Sequence, residues 1–432
     1  MSAEPGDRGG CPLHESMPVP GRVQRGPPPP NHQRPAVETL EIGDPVQHLR
    51  HLHAGEVVVA FGHGHARLGE HGPDHRAVAL LGVHQHAVDV EEHAAAEAFP
   101  RPPGNRTPVR RPPVHCRPVT SQARSVAPIT DRLWQLRLPF PSGVPLNLHV
   151  FTGPQGVVLV DAGLATDADD ILRLLATAGV AGAEVDAILV THAHHDHVGA
   201  LRPLLAVTGA QVHVPAGAER WLLHPESHLD EFALHEPTLV GPDHAAVREI
   251  QGTIAGPVPA HALSSRVGGE WVQPAVQALD AVGHATEELA YWLPSERTLI
   301  LGDALICLDW DFFHGYLDPV ALAETLRRLC RFVEATPVAQ VCAAHRPVLS
   351  RREFVECADA VRAHIDEVDS TVVAGVRRRG RPGASLEDVW RYVSASFGKA
   401  PEFRGLAMVK AHLRRLAQDG RLVRHSGAYR LG

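Results

Sequence analysis

Residues 190–200 read Val-Thr-His-Ala-His-His-Asp-His-Val-Gly-Ala and form the most informative segment of the sequence. The apolar residues 187–190 are typical of a buried strand, and the sequence after Gly199 is typical of a helix. In a tight loop between them, His192 and His194 could converge on one ion while Asp196 and His197 turn toward a second. Core packing does not require these polar side chains, because burying them unpaired is costly. We therefore interpret the loop as metal-binding, the alternative being a polar surface loop in a histidine-rich chain.

The composition directs attention to the histidines. The chain has 432 residues and 30 histidines, and histidine is the commonest metal-ligating side chain. At roughly 150 residues per domain, this length predicts two or three folding units. The six cysteines form no CxxC pair, which argues against a thiolate metal site. Because the sequence shows neither a long apolar run nor a secretory-type start, we expect a cytoplasmic protein with no membrane partner.

The first 125 residues differ in composition from the rest. They hold 18 of the 37 prolines and 13 of the 30 histidines, but only two of the 21 aromatic residues. Such a segment has little with which to build a core, so we predict that residues 1–125 are largely disordered. Their histidines are interpreted as compositional bias rather than as ligands.

From residue 126 the pattern becomes regular. Short apolar or alternating runs at residues 133–138, 146–151 and 157–160 are separated by Gly- and Pro-containing turns, as expected of consecutive strands. Residues 167–178 and 199–208 then show helical spacing of apolar residues. Strands interleaved with helices predict an α/β domain with αββα layers, which we place at residues 126–353.

Five short elements together resemble the metallo-β-lactamase superfamily. Its HxHxDH signature is matched by residues 192–197, and Val-Leu-Val-Asp161-Ala-Gly is similar to its acidic strand end. Downstream, Gly-His284-Ala-Thr, Leu-Gly-Asp303-Ala and Ala-Ala-His345-Arg-Pro resemble its later metal-binding elements. All five occur in the family's order, each after an apolar run.

The resemblance implies a site for two divalent ions. One ion would be held by His192, His194 and His284. The other would be held by Asp196, His197 and His345, with Asp303 bridging both. Imidazoles and carboxylates suit zinc, although some relatives use Fe or Mn. Asp161 is interpreted as a residue that orients a ligand or the loop, and His195 as outward-facing.

The sequence departs from the family pattern at two places. Arg346 follows the last histidine where many relatives have glycine, so a cation is expected beside the site. The gap before His284 is long and contains six other histidines, but none of them ends a strand-like run as His284 does. Those histidines are His213, His224, His228, His235, His244 and His261.

A two-metal site favours hydrolysis. Two ions that share a water lower its pKa and present a bridging hydroxide to an electrophilic centre, while Asp196 orients it as the catalytic residue. The aromatic segment after Asp303 is a candidate substrate pocket, with His314 or Tyr316 as a proton donor; ordinary core packing is the alternative. With Arg346, the predicted pocket residues are Trp310, Phe312, Phe313, His314 and Tyr316.

The C-terminal residues 354–432 change character again. Helical spacing at residues 360–376, 385–396 and 405–418, followed by a hairpin at 421–431, predicts a winged-helix domain. Residues 370–432 carry a charge of +9, whereas the rest of the chain carries −17. A basic winged helix could contact nucleic acid, although such domains also serve as partner modules and basic helices are often merely solvated.

This domain order resembles the β-lactamase-like-protein-2 branch of the superfamily. Because related members include an endoribonuclease and acyl-carrier-protein thioesterases, the resemblance does not identify the bond that is hydrolysed. Our main hypothesis is a hydrolase of a small ester, thioester or related acyl substrate, and the alternative is an endoribonuclease or phosphodiesterase whose winged helix contacts RNA. A non-enzymatic DNA-binding regulator would leave the ligand set unexplained. The glyoxalase II relatives share the metal signature, but no specific glutathione-binding signature is present.

Overall fold

The computed structural model describes residues 123–140, 143–154, 156–224, 258–263, 271–273 and 276–432. The disorder predicted for residues 1–125 therefore lies almost wholly outside the described residues, which begin two residues before the first strand. His228, His235 and His244 also fall outside them. Within the described residues, no helix is both long and apolar enough to cross a bilayer.

The described strands form two large sheets and a C-terminal hairpin. The first sheet has the order β1 to β7, and its strands are β1 Ser125–Pro128, β2 Leu133–Pro139, β3 Pro145–Gly153, β4 Gly156–Val160, β5 Val185–Leu189, β6 Gln211–Pro215 and β7 His261–Leu263. The second has the order β13-β12-β11-β10-β9-β8. Its strands are β8 Trp271–Gln273, β9 Val276–Asp280, β10 Leu289–Leu293, β11 Thr298–Leu301, β12 Gln340–Ala343 and β13 Leu349–Ser350.

Helices cover the outer faces of both sheets. The helices before residue 225 are α1 Ala168–Thr177, α2 His195–Val198, α3 Leu201–Thr208 and α4 Glu219–Leu223. Those after it are α5 Pro319–Ala335, α6 Arg351–Arg379, α7 Leu386–Phe397 and α8 Phe403–Gln418, and the terminal hairpin pairs β14 Leu422–His425 with β15 Ala428–Leu431. The strands and helices expected between residues 133 and 208 are present, with ends within two residues of the prediction.

Alternating residues on the strands produce the layers. In β5, Ile188 packs toward α1 and α3, whereas Leu189 packs toward the second sheet. In β11, Ile300 faces the first sheet, whereas Leu299 faces α5 and the C-terminal helices. Successive side chains of a strand point to opposite faces, so both faces of each sheet are buried. The result is the helix–sheet–sheet–helix order predicted from the sequence.

The C-terminal helices share a hydrophobic cluster with the second sheet. Leu301 of β11, Val361 of α6, Trp390 of α7 and Leu413 of α8 all belong to it. Three helices and a hairpin are present where a winged helix was predicted; the winged-helix interpretation and the domain boundary at residue 353 stay predictions.

Helix α6 begins nine residues before the expected start at residue 360. Ser350 accepts a hydrogen bond from the Glu353 N–H, and the Glu353 carboxylate accepts one from the Ser350 N–H. This reciprocal capping box satisfies helix-terminal donors and starts the helix at Arg351. The same arrangement joins Ser385 and Asp388 at α7.

Candidate metal centre

The predicted ligands lie at the carboxyl ends of strands that share one edge of each sheet. Asp161 follows β4 and His192 follows β5, and these two strands are parallel neighbours. In the second sheet, β11 and β12 are parallel and lead to Asp303 and His345. Strand β9, which leads to His284, is antiparallel to β10, which is itself antiparallel to β11. The sheet connections therefore bring together residues that are far apart in the chain.

Three imidazoles form the first ligand group. His192 Nε2 lies 3.0 Å from His194 Nδ1, which lies 3.0 Å from His284 Nε2. All three side chains are buried. Zinc–nitrogen bonds of about 2.0 Å in a tetrahedral site place ligand nitrogens roughly 3.3 Å apart. The spacing therefore fits one metal ion.

Two carboxylates and two imidazoles form the second group: Asp196, His197, Asp303 and His345. His345 Nε2 lies 3.3 Å from Asp196 Oδ2 and 3.4 Å from Asp303 Oδ2. His197 Nε2 lies 3.7 and 3.8 Å from the same two oxygens. The Asp303 Oδ2 atom is also 3.6 Å from His284 Nε2 of the first group. Asp303 consequently stands between the two groups.

Some of the ligand atoms are buried without hydrogen bonds. Among the described residues, neither His197 Nε2 nor Asp303 Oδ1 has a hydrogen-bond partner. Leaving a buried polar atom unpaired costs about 1–3 kcal/mol. The cost is removed if these lone pairs bind cations, so the residues present fit divalent metal ions.

The ionisation of the groups suits metal binding. Burial, reinforced by neighbouring imidazoles, holds the pKa of His192 well below its usual value and favours the neutral ligand form. Burial opposes ionisation of Asp303, but His345 and His314 outweigh it and hold the carboxyl pKa well below its usual range. For His345, burial lowers the pKa, but Asp303 and Asp196 outweigh it and raise it to about 10. Metal binding would displace this proton.

Hydrogen bonds from the far ring nitrogens orient the imidazoles. His345 Nδ1 donates to the Pro145 carbonyl at 2.9 Å, and His284 Nδ1 donates to the Gly315 carbonyl at 3.2 Å. Because a carbonyl only accepts, Nδ1 keeps its proton when the ring is neutral, and Nε2 then offers the lone pair.

The Asp161 carboxylate holds both His197 and the ligand loop. Asp161 Oδ2 lies 2.9 Å from His197 Nδ1, and Oδ1 accepts the Thr191 N–H at 2.7 Å. Asp161 has a φ of 65°, a left-handed conformation that aspartate tolerates better than most residues. These contacts support the orienting role expected of Asp161, which stays a prediction.

The remaining histidines near the motif stand apart from the two ligand groups. The His195 side chain is 29% exposed, and its Nδ1 is 4.0 Å from Asp196 Oδ1. Among the described histidines of the long gap, His213 and His261 have ring centroids 5.2 Å apart. Neither they nor His224 belongs to a group of converging ligands in the described part of the chain.

The predicted pocket residues are divided between two environments. Trp310 stacks on His314, with ring centroids 4.3 Å apart and an interplanar angle of 23°, and its centroid is 5.3 Å from that of His345. Phe312 contacts Trp310 at 5.0 Å. Trp310 and His314 therefore border the metal ligands, and Phe312 packs on Trp310.

The other pocket residues are used to hold the fold. Phe313 packs against Phe397 of α7, and the Tyr316 hydroxyl lies 2.7 Å from His412 Nε2 of α8. The Arg346 guanidinium is buried and donates to the carbonyls of Leu305 and Ile306. Arg346 thus braces the chain after Asp303.

Sequence reasoning missed two buried residues that shape the site. Glu288 Oε1 accepts the N–H groups of Asp303 and Ala304 at 2.8 and 2.9 Å, and burial raises the pKa of this carboxyl well above its usual value. Asn147 Nδ2 donates to the Arg346 carbonyl at 2.8 Å and supports the turn that carries His345. Neither residue belongs to a local motif, so only the fold reveals its role.

Comparison with known proteins identifies the domain. Residues 143–345 match the family model of the metallo-beta-lactamase superfamily. These residues form a metallo-beta-lactamase superfamily domain. A metallo-beta-lactamase family protein from Thermus thermophilus has a similar fold, with a TM-score of 0.56 and 22% identity over 71% of this chain and 100% of its own. The predicted fold class is confirmed, whereas assignment to a branch stays a prediction.

Curated relatives of the metallo-beta-lactamase domain include two bacterial proteins. Protein YobT of Bacillus subtilis strain 168 is 30% identical over 40% of this chain and 66% of its own length. A hydroxyacylglutathione hydrolase of Methylobacterium sp. strain 4-46 is 27% identical over 50% of this chain and 68% of its own. The chain thus spans about two thirds of their lengths. The superfamily domain and these relatives indicate a metal-dependent hydrolase, as the sequence predicted.

Proposed function

We propose that the metallo-beta-lactamase domain is a dinuclear hydrolase of a small ester, thioester or related acyl substrate. The observation that carries this proposal is the position of Asp303 Oδ2, 3.6 Å from His284 Nε2 and 3.4 Å from His345 Nε2. One carboxylate therefore reaches ligands of both groups. A carboxylate in this position can contribute a ligand to each of two closely spaced ions, which supports a dinuclear site.

Zinc is the metal that we propose. The ligand set consists of imidazoles and carboxylates, which suit Zn²⁺, whereas Fe and Mn are tested beside it. Burial raises the pKa of the nearby Cys307 thiol to about 12, so this sulfur stays protonated and is a poor ligand. The Cys307 thiol instead contacts the His345 carbonyl at 3.6 Å.

Two divalent ions, when bound, supply a water of lowered pKa and stabilise a developing oxyanion. Around them, we assign to the Asp196 carboxylate the role of orienting the nucleophile and accepting its proton. Its position within the second group, with Oδ2 3.3 Å from His345 Nε2, supports this assignment. Phe140 and Trp310 lie on His345 with ring centroids 5.3 Å from it. These apolar rings exclude water and strengthen electrostatic interactions at the site.

The surroundings of the site favour an acyl substrate over a polyanion. Both Arg346 and Lys399 direct their charged groups at backbone carbonyls of residues 305–310 rather than at the metal ligands. Within the described part of the chain, the aromatic rings of Trp310 and Phe140 lie next to the ligand His345. The hydroxyacylglutathione hydrolases among the relatives make a thioester the first substrate to test.

Metal content is the first experiment. After removal of metal and reconstitution with Zn²⁺, Mn²⁺ or Fe²⁺ in parallel, we expect about two ions per chain and the highest activity with zinc. The His195→Gln variant is the matched control, because this neighbour of the ligands belongs to neither group. Fewer than one bound ion per chain would overturn the proposal.

A substrate panel then tests the reaction. It should compare a hydroxyacylglutathione thioester, a simple acyl thioester, a carboxylic ester and single-stranded RNA. We expect hydrolysis of an acyl substrate by the wild type, and its loss in the Asp196→Asn variant. RNA cleavage that depends on Asp196, without acyl hydrolysis, would replace the proposal by the nuclease alternative.

A further inference from the structure

His314 lies against the metal ligands in a position that admits two roles. Its ring nitrogen comes within 4.8 Å of ligand atoms of both His284 and Asp303, so the three side chains could hold an ion. Alternatively, His314 could act on the carboxylate of Asp303 without touching metal. The hydrogen bonds of the two ring nitrogens decide between these roles.

The Nδ1 atom of His314 has to carry a lone pair. The backbone N–H of Cys307 donates to it over 2.9 Å. Because a backbone N–H can only donate, Nδ1 is the acceptor and the proton of the neutral ring is on Nε2. His314 Nε2 lies 2.9 Å from Asp303 Oδ2, so its N–H donates to the carboxylate.

The metal-ligand histidines show the opposite arrangement. In His284 and His345, Nδ1 faces a backbone carbonyl and therefore holds the proton of the neutral ring, so the neutral ring offers its Nε2 lone pair to the site. In His314 the proton of the neutral ring is on Nε2, because Nδ1 accepts the Cys307 N–H. The neutral His314 ring therefore has no lone pair directed at a metal ion.

We propose that His314 is a positioning residue, which fixes the bridging carboxylate of Asp303 through its Nε2–H. Trp310 stacks on the ring and holds its orientation. The proposal rests on the proposed function in that Asp303 is taken to bridge two ions. With its proton committed to Asp303, His314 is neither a metal ligand nor the proton donor to substrate.

Two substitutions separate the two ends of the ring. The His314→Gln variant can place an amide N–H near the position of Nε2 and so still donate to Asp303. The His314→Asn variant is shorter: its amide oxygen can accept the Cys307 N–H, but its amide cannot reach Asp303. His364→Asn is the matched control, because His364 lines the same small cavity as His314 and belongs to neither ligand group.

The readouts are metal affinity by chelator competition, the visible absorption spectrum of the Co²⁺-substituted protein and the melting temperature of the metal-free protein. We expect His314→Asn to weaken binding of one ion by roughly 10- to 100-fold, as for other residues that hold metal ligands. His314→Gln should restore affinity to within about threefold of wild type. At saturation, the Co²⁺ spectra of both variants should match that of wild type, because no ligand is lost.

Several results would overturn the proposal. A changed coordination number in the Co²⁺ spectrum of either variant would make His314 a ligand. A lower melting temperature of His314→Asn with unchanged metal affinity would reduce its role to packing. If wild type itself bound fewer than two ions, the proposed dinuclear function would fail, which is a separate result from the comparison of variants.

Discussion

Among the described residues, two buried polar clusters that contain histidine have opposite chemistry. In the metal cluster, formed by His192, His194, Asp196, His197, His284, Asp303 and His345, ligand atoms face one another. In the second, which we call the Tyr316 network, Tyr316 bonds to His412 Nε2 at 2.7 Å, His412 Nδ1 bonds to Asp369 at 2.7 Å, and Arg415 pairs with Asp369.

The difference is one of hydrogen-bond complementarity. The Tyr316 hydroxyl donates to His412, which in turn donates to a carboxylate, so the ring has both of its partners within the protein. The metal cluster has buried lone pairs without donors, such as His197 Nε2. Burial of histidine alone therefore does not indicate a metal site. A surplus of lone pairs over donors does.

The largest effect should follow from Asp303→Asn. Because each metal ion contributes several kcal/mol of transition-state stabilisation, loss of the bridging charge should lower kcat/KM by roughly three orders of magnitude. Metal content should fall from two ions to one or fewer after dialysis. Asp311→Asn, a nearby exposed carboxylate, is the control and should keep both ions. If the Asp303→Asn variant bound two ions and had wild-type kinetics, the metal cluster would not differ from the Tyr316 network in the way we describe.

His412→Ala should break the Tyr316 network without emptying the metal cluster. The substitution leaves the buried Tyr316 hydroxyl and Asp369 short of a partner, at a cost of about 3 kcal/mol in the free energy of unfolding. Urea denaturation measures this loss, while metal content at saturating Zn²⁺ should stay at two ions. The exposed His425→Ala is the control, with a change below about 0.5 kcal/mol. Loss of metal from His412→Ala at saturating Zn²⁺ would contradict the separation of the Tyr316 network from metal binding.

Asp161→Asn tests how the metal cluster is held. The amide oxygen can still accept the Thr191 N–H, and asparagine tolerates the left-handed backbone, but the charge beside His197 is lost. We expect metal affinity to fall by roughly 10- to 100-fold in a chelator competition. Asp186→Asn is the matched control, since Asp186 also accepts a backbone N–H, from Val157 at 2.8 Å, away from the ligands. Equal affinities in the two variants would argue against an orienting role.

The smallest expected effect concerns pH. Burial lowers the pKa of His412 to about 3, compared with about 6.5 in the unfolded chain. The unfolded state therefore binds more protons between these values, and His412 makes stability fall as the pH drops below 6.5, by up to about 1.4 kcal/mol per pH unit. Urea denaturation of metal-free protein at about pH 7, 6 and 5 should show a steeper loss for wild type than for His412→Gln. Equal slopes of the free energy of unfolding against pH in the two proteins would contradict a neutral, buried His412.

The two clusters also differ in how far the sequence predicted them. The metal cluster could be predicted from the sequence, because each of its ligands follows an apolar run, and such a pattern is local in the chain. For Tyr316 the sequence left open a place in the substrate pocket or in the core, and the structure bonds its hydroxyl to His412 of α8. That contact joins residues 96 positions apart, and no local pattern in either segment predicts it.

Single residues show the same limit. Glu288 holds the backbone of Asp303, yet in the sequence it is one of two adjacent glutamates before a strand. The start of α6 at Arg351 was missed although its capping box, Ser350 with Glu353, is local. The role of Glu288 is not visible in the sequence, because sheet pairing brings Asp303 next to it. The start of α6 is visible, because a serine followed three residues later by an acidic residue is the local pattern of a capping box.

The sequence alone predicted the layered fold and the order of the candidate ligands at strand ends, because alternation and strand-end position are local properties of the chain. It also predicted that the histidines of the Pro-rich segment are not ligands, and those histidines lie outside the described residues. The folded chain was needed to show which ring nitrogens and carboxylates converge, that Asp303 reaches both ligand groups, and which ring nitrogen of His314 faces Asp303. Those properties depend on the partners of each ring nitrogen, and the pairing and packing of distant strands and helices select those partners.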